Sequence, residues 1–190
     1  MFDFSLKTKV TFGQGVRKYI IDTLKMENWR HVGVVYDHNL IHNKVMAELL
    51  DSIDNAATTL IKAKCNISEP TYDSLDEARK NFDEPNLQVI IGIGGGSALD
   101  MAKAMAVLVN NKKSAIEYRG FDKMTEPVLP IIAVPTTAGT GSEVTPNASF
   151  IDSKAKKKLG INGESVRPEY AFLDPELTIS CPKGPTVSGA

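Results

Sequence analysis

Leu87-Gln88-Val89-Ile90-Ile91-Gly92-Ile93-Gly94-Gly95-Gly96-Ser97 passes without a break from an apolar run, through glycines, into the helix-forming stretch Ser97 to Val109. Valine and isoleucine without polar alternation read as a strand buried on both faces, as in a parallel sheet covered by helices. Glycines at the strand's exit allow positive φ and let a ligand come close to the backbone. The helix that follows presents free N–H groups and the positive end of its dipole, which suits an anion, most often a phosphate. Ser97 either caps that helix or donates to a phosphate oxygen. The alternative is a tight strand-to-helix turn that holds nothing; the strand–loop–helix context is what favours a ligand.

Working outward, the same alternation recurs. Val10 to Phe12 reads as a short strand closed by the turn Gly13-Gln14-Gly15, after which Val16, Tyr19, Ile20 and Leu24 fall at helical spacing. His31 to Tyr36 is a second buried strand, and Val45, Leu49, Leu50 and Ile53 form the stripe of the next helix. Thr58 to Lys62 is a weaker strand and Pro130 to Val134 a further buried one. After Pro70, Ser74-Leu75-Asp76-Glu77 fits a capping box, and Ser114-Ala115-Ile116-Glu117 fits another. Beyond about residue 150, Phe150–Asp152 and Leu159–Ile161 flank a lysine-rich turn as a β-hairpin; Pro168, Pro175, Pro182 and Pro185 then punctuate a tail with no amphipathic helix. Strands separated by helices give an α/β fold, a Rossmann-like parallel sheet with helices on both faces.

Composition narrows the function. The 190 residues carry 22 basic and 23 acidic side chains, a formal charge of −1, which argues against a nucleic-acid surface or a polybasic membrane anchor. No apolar stretch reaches the roughly 20 residues that span a bilayer, and the start, Met1 to Val10, lacks the pattern of a signal peptide. Two widely separated cysteines, Cys65 and Cys181, suggest neither a disulfide framework nor a thiolate metal site. A cytoplasmic protein is expected.

Other residues carry chemistry. Dinucleotide sites commonly place an acid at a strand's C-terminal end, where it accepts from a ribose hydroxyl and repels a 2′-phosphate. Asp37, ending the His31–Tyr36 strand, fits better than Glu117, which stands about 20 positions after the glycines; the alternative for Asp37 is a cap of the next turn. A second polar loop, Pro135-Thr136-Thr137-Ala138-Gly139-Thr140-Gly141-Ser142-Glu143, also follows a buried strand and offers hydroxyls and open backbone. Asp100 and Lys103, three apart on a helix, also admit a purely structural ion pair. His38 and His42 have the spacing of two ligands on one helix face, but no third ligand is evident. They read as polar residues near Asp37 or as exposed ones. Lys154, Lys156 and Lys157 read as a solvated hairpin tip, and Met101 and Met105 as core.

GIGGGSALDMAKAMAVL (92–108), AVPTTAGTGSEVTPNASF (133–150), KKKLGI (156–161) and AFLDPELTISCP (171–182) together resemble the iron-dependent, group III alcohol dehydrogenases, over essentially the whole chain. The resemblance implies an N-terminal dinucleotide-binding domain, expected here over residues 1–182, with 183–190 leading toward a helical metal-binding domain that the sequence does not contain. It implies that Asp37 selects NAD over NADP; that Gly94, Gly95, Gly96 and Ser97 hold the pyrophosphate; and that Asp100 stands near the nicotinamide. Thr136, Thr137, Thr140 and Ser142 correspond to the second cofactor loop, and Lys158 to the hairpin lysine that contacts ribose. Family members hold Fe or Zn through an aspartate and three histidines. Here the chain stops at Ser188-Gly189-Ala190, before that aspartate's motif, and its only histidines are His31, His38 and His42. No catalytic or metal residue is therefore assigned. The expected activity of the parent is hydride transfer between a small alcohol or aldehyde and NAD(P), with the 190 residues inactive alone. The alternatives are a stand-alone nucleotide-binding module and a lyase of the dehydroquinate-synthase type. A homodimer, with contact near Val10, is a further expectation.

Overall fold

A computed structural model describes residues 6–65 and 69–188. The outermost residues of the termini, 1–5 and 189–190, on which parts of the terminal readings fall, lie outside the described residues. Six strands form one all-parallel sheet: β1 (Lys9–Phe12), β2 (His31–Asp37), β3 (Thr59–Cys65), β4 (Val89–Gly94), β6 (Ile131–Pro135) and β9 (Tyr170–Leu173), in the order β1-β9-β6-β4-β2-β3. A smaller sheet joins β5 (Gly120–Phe121) to the hairpin of β7 (Asn147–Asp152) and β8 (Lys157–Asn162). The helices are α1 (Tyr19–Met26), α2 (Lys44–Ala56), α3 (Tyr72–Arg79), α4 (Gly96–Leu108) and the short α5 (Lys183–Ser188).

Alternation along the central strands divides the core. Val32, Val34 and Tyr36 of β2, with Val89, Ile91 and Ile93 of β4, pack against Ile20 and Leu24 of α1 and Met46, Leu49 and Ile53 of α2. Val35 and Ile90 face the other way, toward α3, α4 and the hairpin's Ala148, Phe150 and Ile161. Helix α4 therefore lies between two sheets, and every residue from Ala98 to Leu108 except Asp100 is buried. It approaches β4 closely because Gly92 has no side chain; a Cβ there would sit 2.7 Å from Ala102 Cβ.

Three expectations need correction. The box before α3 lies three residues earlier: Thr71 Oγ1 accepts from Ser74 N at 3.1 Å and Ser74 Oγ from Thr71 N at 2.9 Å, so the helix begins directly after Pro70-Thr71. Ser114 and Glu117 form no box. Ser114 Oγ and the Ala115 N–H both donate to Asp76 of α3, at 2.6 and 2.9 Å, and that acid satisfies the turn instead. The proline-punctuated tail hides β9, which lies inside the sheet between β1 and β6. Its prolines, 168 and 175, flank the strand and break no ladder bond. Beyond it, Asp174 is wholly buried and accepts from Gly15 N at 3.1 Å, Glu176 N at 3.1 Å and Arg17 Nη1 at 2.6 Å, which fastens the turn after β9 to the turn after β1.

Candidate cofactor-binding site

The chain leaves β2 for β3 on one side of the sheet and leaves β4 for β6 on the other. Connections that diverge in this way open a crevice at the strands' C-terminal ends, the usual ligand position in an open α/β sheet. Asp37 ends β2 and Gly94 ends β4 in that crevice, where a Cβ on Gly94 would come within 3.0 Å of Asp37 Cβ. Gly94 has φ +152° and would also bring a Cβ to 2.7 Å from Ala98 Cβ, so glycine is required twice over at this turn.

Gly95, not Ser97, is the N-cap of α4, and it makes no side-chain cap bond. Ser97 is half-buried within the first turn. The second loop closes over this start. Thr136, buried, donates its N–H to Gly94 O at 2.9 Å. A Cβ on Gly95 would meet Thr137 Oγ1 at 3.2 Å, and one on Gly96 would meet Thr140 Cγ2 at 3.1 Å. Gly139 (φ +99°) and Gly141 (φ +65°) let that loop fold back. The bare backbone of one loop is thus lined by the threonines of the other, a cradle that side chains on the glycines would fill.

Asp37 takes part in both of its readings. Its Oδ1 accepts from Asn39 N at 2.9 Å and Asn39 Nδ2 at 3.0 Å, which caps the next turn; Oδ2 makes no such bond among the described residues. Asp100 is more fully engaged, accepting from Ser142 Oγ at 2.5 Å and Ser149 N at 2.9 Å, with Lys103 Nζ at 3.8 Å. Burial lowers the Lys103 ammonium to about 8, against the pull of Asp100 and Glu143, which favour its charge, and with a small push from Arg167. Asp37, Gly94–96, Ser97, Thr136, Thr137, Thr140 and the Asp100–Ser142 pair therefore come together. Lys158 does not join them: it is 56% exposed on the hairpin and its ammonium stands 3.7 Å from Glu69. His38 and His42 are exposed.

Sequence reasoning missed Asn39 as the partner of Asp37, and Thr145, Asn147 and Ser149 as anchors of the second loop. The Asp-x-Asn spacing was a signal for the first. For the rest, the only signal was a lysine inside the apolar run of α4.

Among the described residues no helix is long and apolar enough to cross a membrane, and no three His, Cys, Asp or Glu side chains converge as metal ligands.

The model of the iron-containing alcohol dehydrogenases matches residues 7–175. The NAD-dependent methanol dehydrogenase of Bacillus methanolicus is 30% identical over 99% of this chain and 49% of its own length. Lactaldehyde reductase of Escherichia coli is 30% identical over 90% of this chain and 45% of its own. Among solved structures, sulfoacetaldehyde reductase from Bifidobacterium kashiwanohense in complex with NAD+ superposes with a TM-score of 0.88 at 31% identity, covering all of this chain and 50% of that one. The chain spans about half the length of these relatives. With the family's model matching most of its residues and relatives 30% identical over nearly all of it, the chain belongs to the iron-containing alcohol dehydrogenase family.

Proposed function

We propose that these residues form the dinucleotide-binding part of an alcohol dehydrogenase that moves a hydride between NAD and a small alcohol or aldehyde. One observation carries the reading: the cradle of Gly94, Gly95 and Gly96 against Thr137 and Thr140, beside an aspartate whose Oδ2 accepts no hydrogen bond among the described residues. In it, the N–H groups that open α4 face the pyrophosphate with Ser97, and Thr136, Thr137 and Thr140 line the far wall. Asp37 accepts from the adenosine ribose and disfavours a 2′-phosphate. Asp100 holds Ser142 in place at the nicotinamide end, and Lys158, which stands beside Glu69 on the hairpin, is given no part in it. The nicotinamide, once bound, supplies the hydride chemistry; the chain's residues orient it and shield it from water.

The family's metal finds no ligand set among the described residues, so activation of the alcohol is assigned to none of them. Residues 1–182 are proposed as one unit, with 183–190 leading out of it, and the 190 residues as binding dinucleotide without turnover. A cytoplasmic location belongs to the same proposal, supported by two cysteines that form no disulfide, Cys65 and Cys181. So does a homodimer, supported by the outer edge of β1, which no further strand of the described residues pairs and where Val10 is 40% and Phe12 74% exposed.

Calorimetric titration with NAD and NADP is the test. NAD is expected to bind at least about tenfold more tightly, a difference of ~1.4 kcal/mol, and Asp37→Gly to narrow that gap. Failure of both nucleotides to bind, or equal binding of the two, refutes the reading.

A further inference from the structure

The end of α4 away from the glycine loop opens into a hollow that the cofactor reading does not use. It has a volume of about 780 Å³ and is bounded by residues 110–113 and 125–127, with Tyr118 in its wall. Helix α4 has 13 residues, so about 20 Å of helix separates the hollow from the cradle. The chain's own hydrogen bonds hold the walls. Asn111, 1% exposed, spends its whole side chain on them. Its Oδ1 accepts from Thr125 N and Glu126 N, both at 3.0 Å. Its Nδ2 donates to Val107 O at 2.9 Å and Glu126 O at 3.1 Å. Asn110 Nδ2 adds Pro127 O at 2.8 Å. The hollow is therefore built before anything enters it, which keeps the ordering cost of binding small.

The C-terminal end of a helix ordinarily disfavours an anion, because its open carbonyls carry the negative end of the dipole. Here Arg79 of α3 covers the chain just beyond α4. Its Nη1 donates to Lys113 O at 2.7 Å and Asn111 O at 3.4 Å, and Asp76 balances its charge at 3.2 Å. Three groups of the lining are left over. Tyr118 is 3% exposed, and its hydroxyl oxygen accepts from Lys113 N at 3.0 Å, yet its O–H finds no acceptor among the described residues. A polar group buried this deeply ordinarily has its partners. Lys112 and Lys113 are exposed, and their ammonium groups form no ion pair among the described residues. Glu126 is the one carboxylate of the lining, against those two lysines.

We infer that this hollow binds a phosphate group, with the Tyr118 O–H as its directional donor and Lys112 and Lys113 as its charges. Ammonium groups serve phosphate as point charges and need no fixed fork geometry. The hydroxyl supplies the direction that they lack, and Lys113 N, by donating to its oxygen, turns the remaining O–H away from the main chain. The competing account is a hollow filled only by solvent, in which water takes the Tyr118 hydrogen and the lysines stay hydrated. The inference does not depend on the cofactor reading, since none of these residues lies in the crevice.

Titration of the 190-residue chain with inorganic phosphate, followed by amide NMR shifts residue by residue at an ionic strength held constant with chloride, tests this. Amides of Lys112, Lys113, Thr125 and Glu126 are expected to follow one saturable curve, separate from any curve at Gly95 to Ser97, where phosphate occupying the cofactor crevice would report. Tyr118→Phe keeps the ring and removes the O–H. It is expected to weaken binding at least about tenfold, the scale of one hydrogen bond to a charged group. Lys112→Gln with Lys113→Gln, both at exposed positions, is expected to abolish saturation without unfolding the chain. No saturable shift at 112–113 and 125–126, or shifts that chloride alone reproduces, overturns the inference. So does an unchanged dissociation constant in Tyr118→Phe. Acetate that saturates the same amides more tightly than phosphate overturns the assignment to phosphate. If Tyr118→Phe does not fold, the double lysine variant decides, and unchanged affinity in it overturns the site.

Discussion

At the scale of single residues, two glycines of β4 do different work. Gly94 belongs to the site through its backbone angle, whereas Gly92 belongs to the packing of α4 on the sheet. Of the three atoms nearest a Cβ at 92, Leu99 Cδ2 at 3.2 Å can rotate away, but Ala102 Cβ at 2.7 Å and Leu99 Cα at 3.5 Å are fixed to the helix backbone. Gly92→Ala is therefore expected to destabilise by about 1–3 kcal/mol, the usual cost of overpacking, readable by urea denaturation; a change below about 0.5 kcal/mol, as at a neutral surface site, would show that α4 can shift. The glycine triplet and Asp37 were legible in the sequence because their chemistry depends on local order along the chain. Asn147 and Thr145 were not, because what matters there is a carbonyl, which every residue possesses.

Among the elements, β9 shows where reading by periodicity fails. Four residues are too few for alternation to emerge, and a strand inside a parallel sheet is apolar on both faces anyway. What marks Tyr170–Leu173 is its ending, Asp174-Pro175-Glu176, which caps a turn and reaches Arg17. Burial pushes the Asp174 carboxyl upward, but Arg17 and the N–H groups of Gly15, Glu176 and Arg17 outweigh it and leave the pKa below its ordinary 3.8. A depressed carboxyl contributes stability that is present above that ordinary value and is lost as pH falls through the folded one. Asp174→Ala, which takes the buried partner of the Arg17 guanidinium and leaves it Glu176 alone, is expected to cost about 1.5–3 kcal/mol at neutral pH, the usual worth of a hydrogen bond to a charged group. As pH falls below about 4, the stability of the wild type should fall more steeply than that of Asp174→Asn. Parallel acid profiles by denaturant titration would mean that the pair is not what fastens β9 to β1.

For the molecule as a whole, the sheet has two unequal edges, β3 on one side and β1 on the other. An unpaired edge with exposed apolar side chains invites a second chain, and the proposed homodimer is expected to use β1. Sedimentation velocity should give twice the chain mass for the wild type and a shift toward the single-chain mass for Val10→Lys with Phe12→Asp; a monomeric wild type would end the proposal. The layered α/β plan was legible because buried parallel strands read as unbroken valine and isoleucine runs. The order of strands was not, since that order is set by pairings between distant segments.

The partnership of β1 with β9 has a consequence for how the molecule is made. Lys9 lies against Tyr170 and Phe12 against Leu173, so β1 finds this neighbour only after some 160 further residues have been synthesised. Until then β2, β3, β4 and β6 can assemble around α4 while β1 waits, and the open slot beside β6 is filled last. Birth order and assembly order run opposite ways at this edge, and in a nascent chain halted short of residue 170 β1 is made before the strand it lies against.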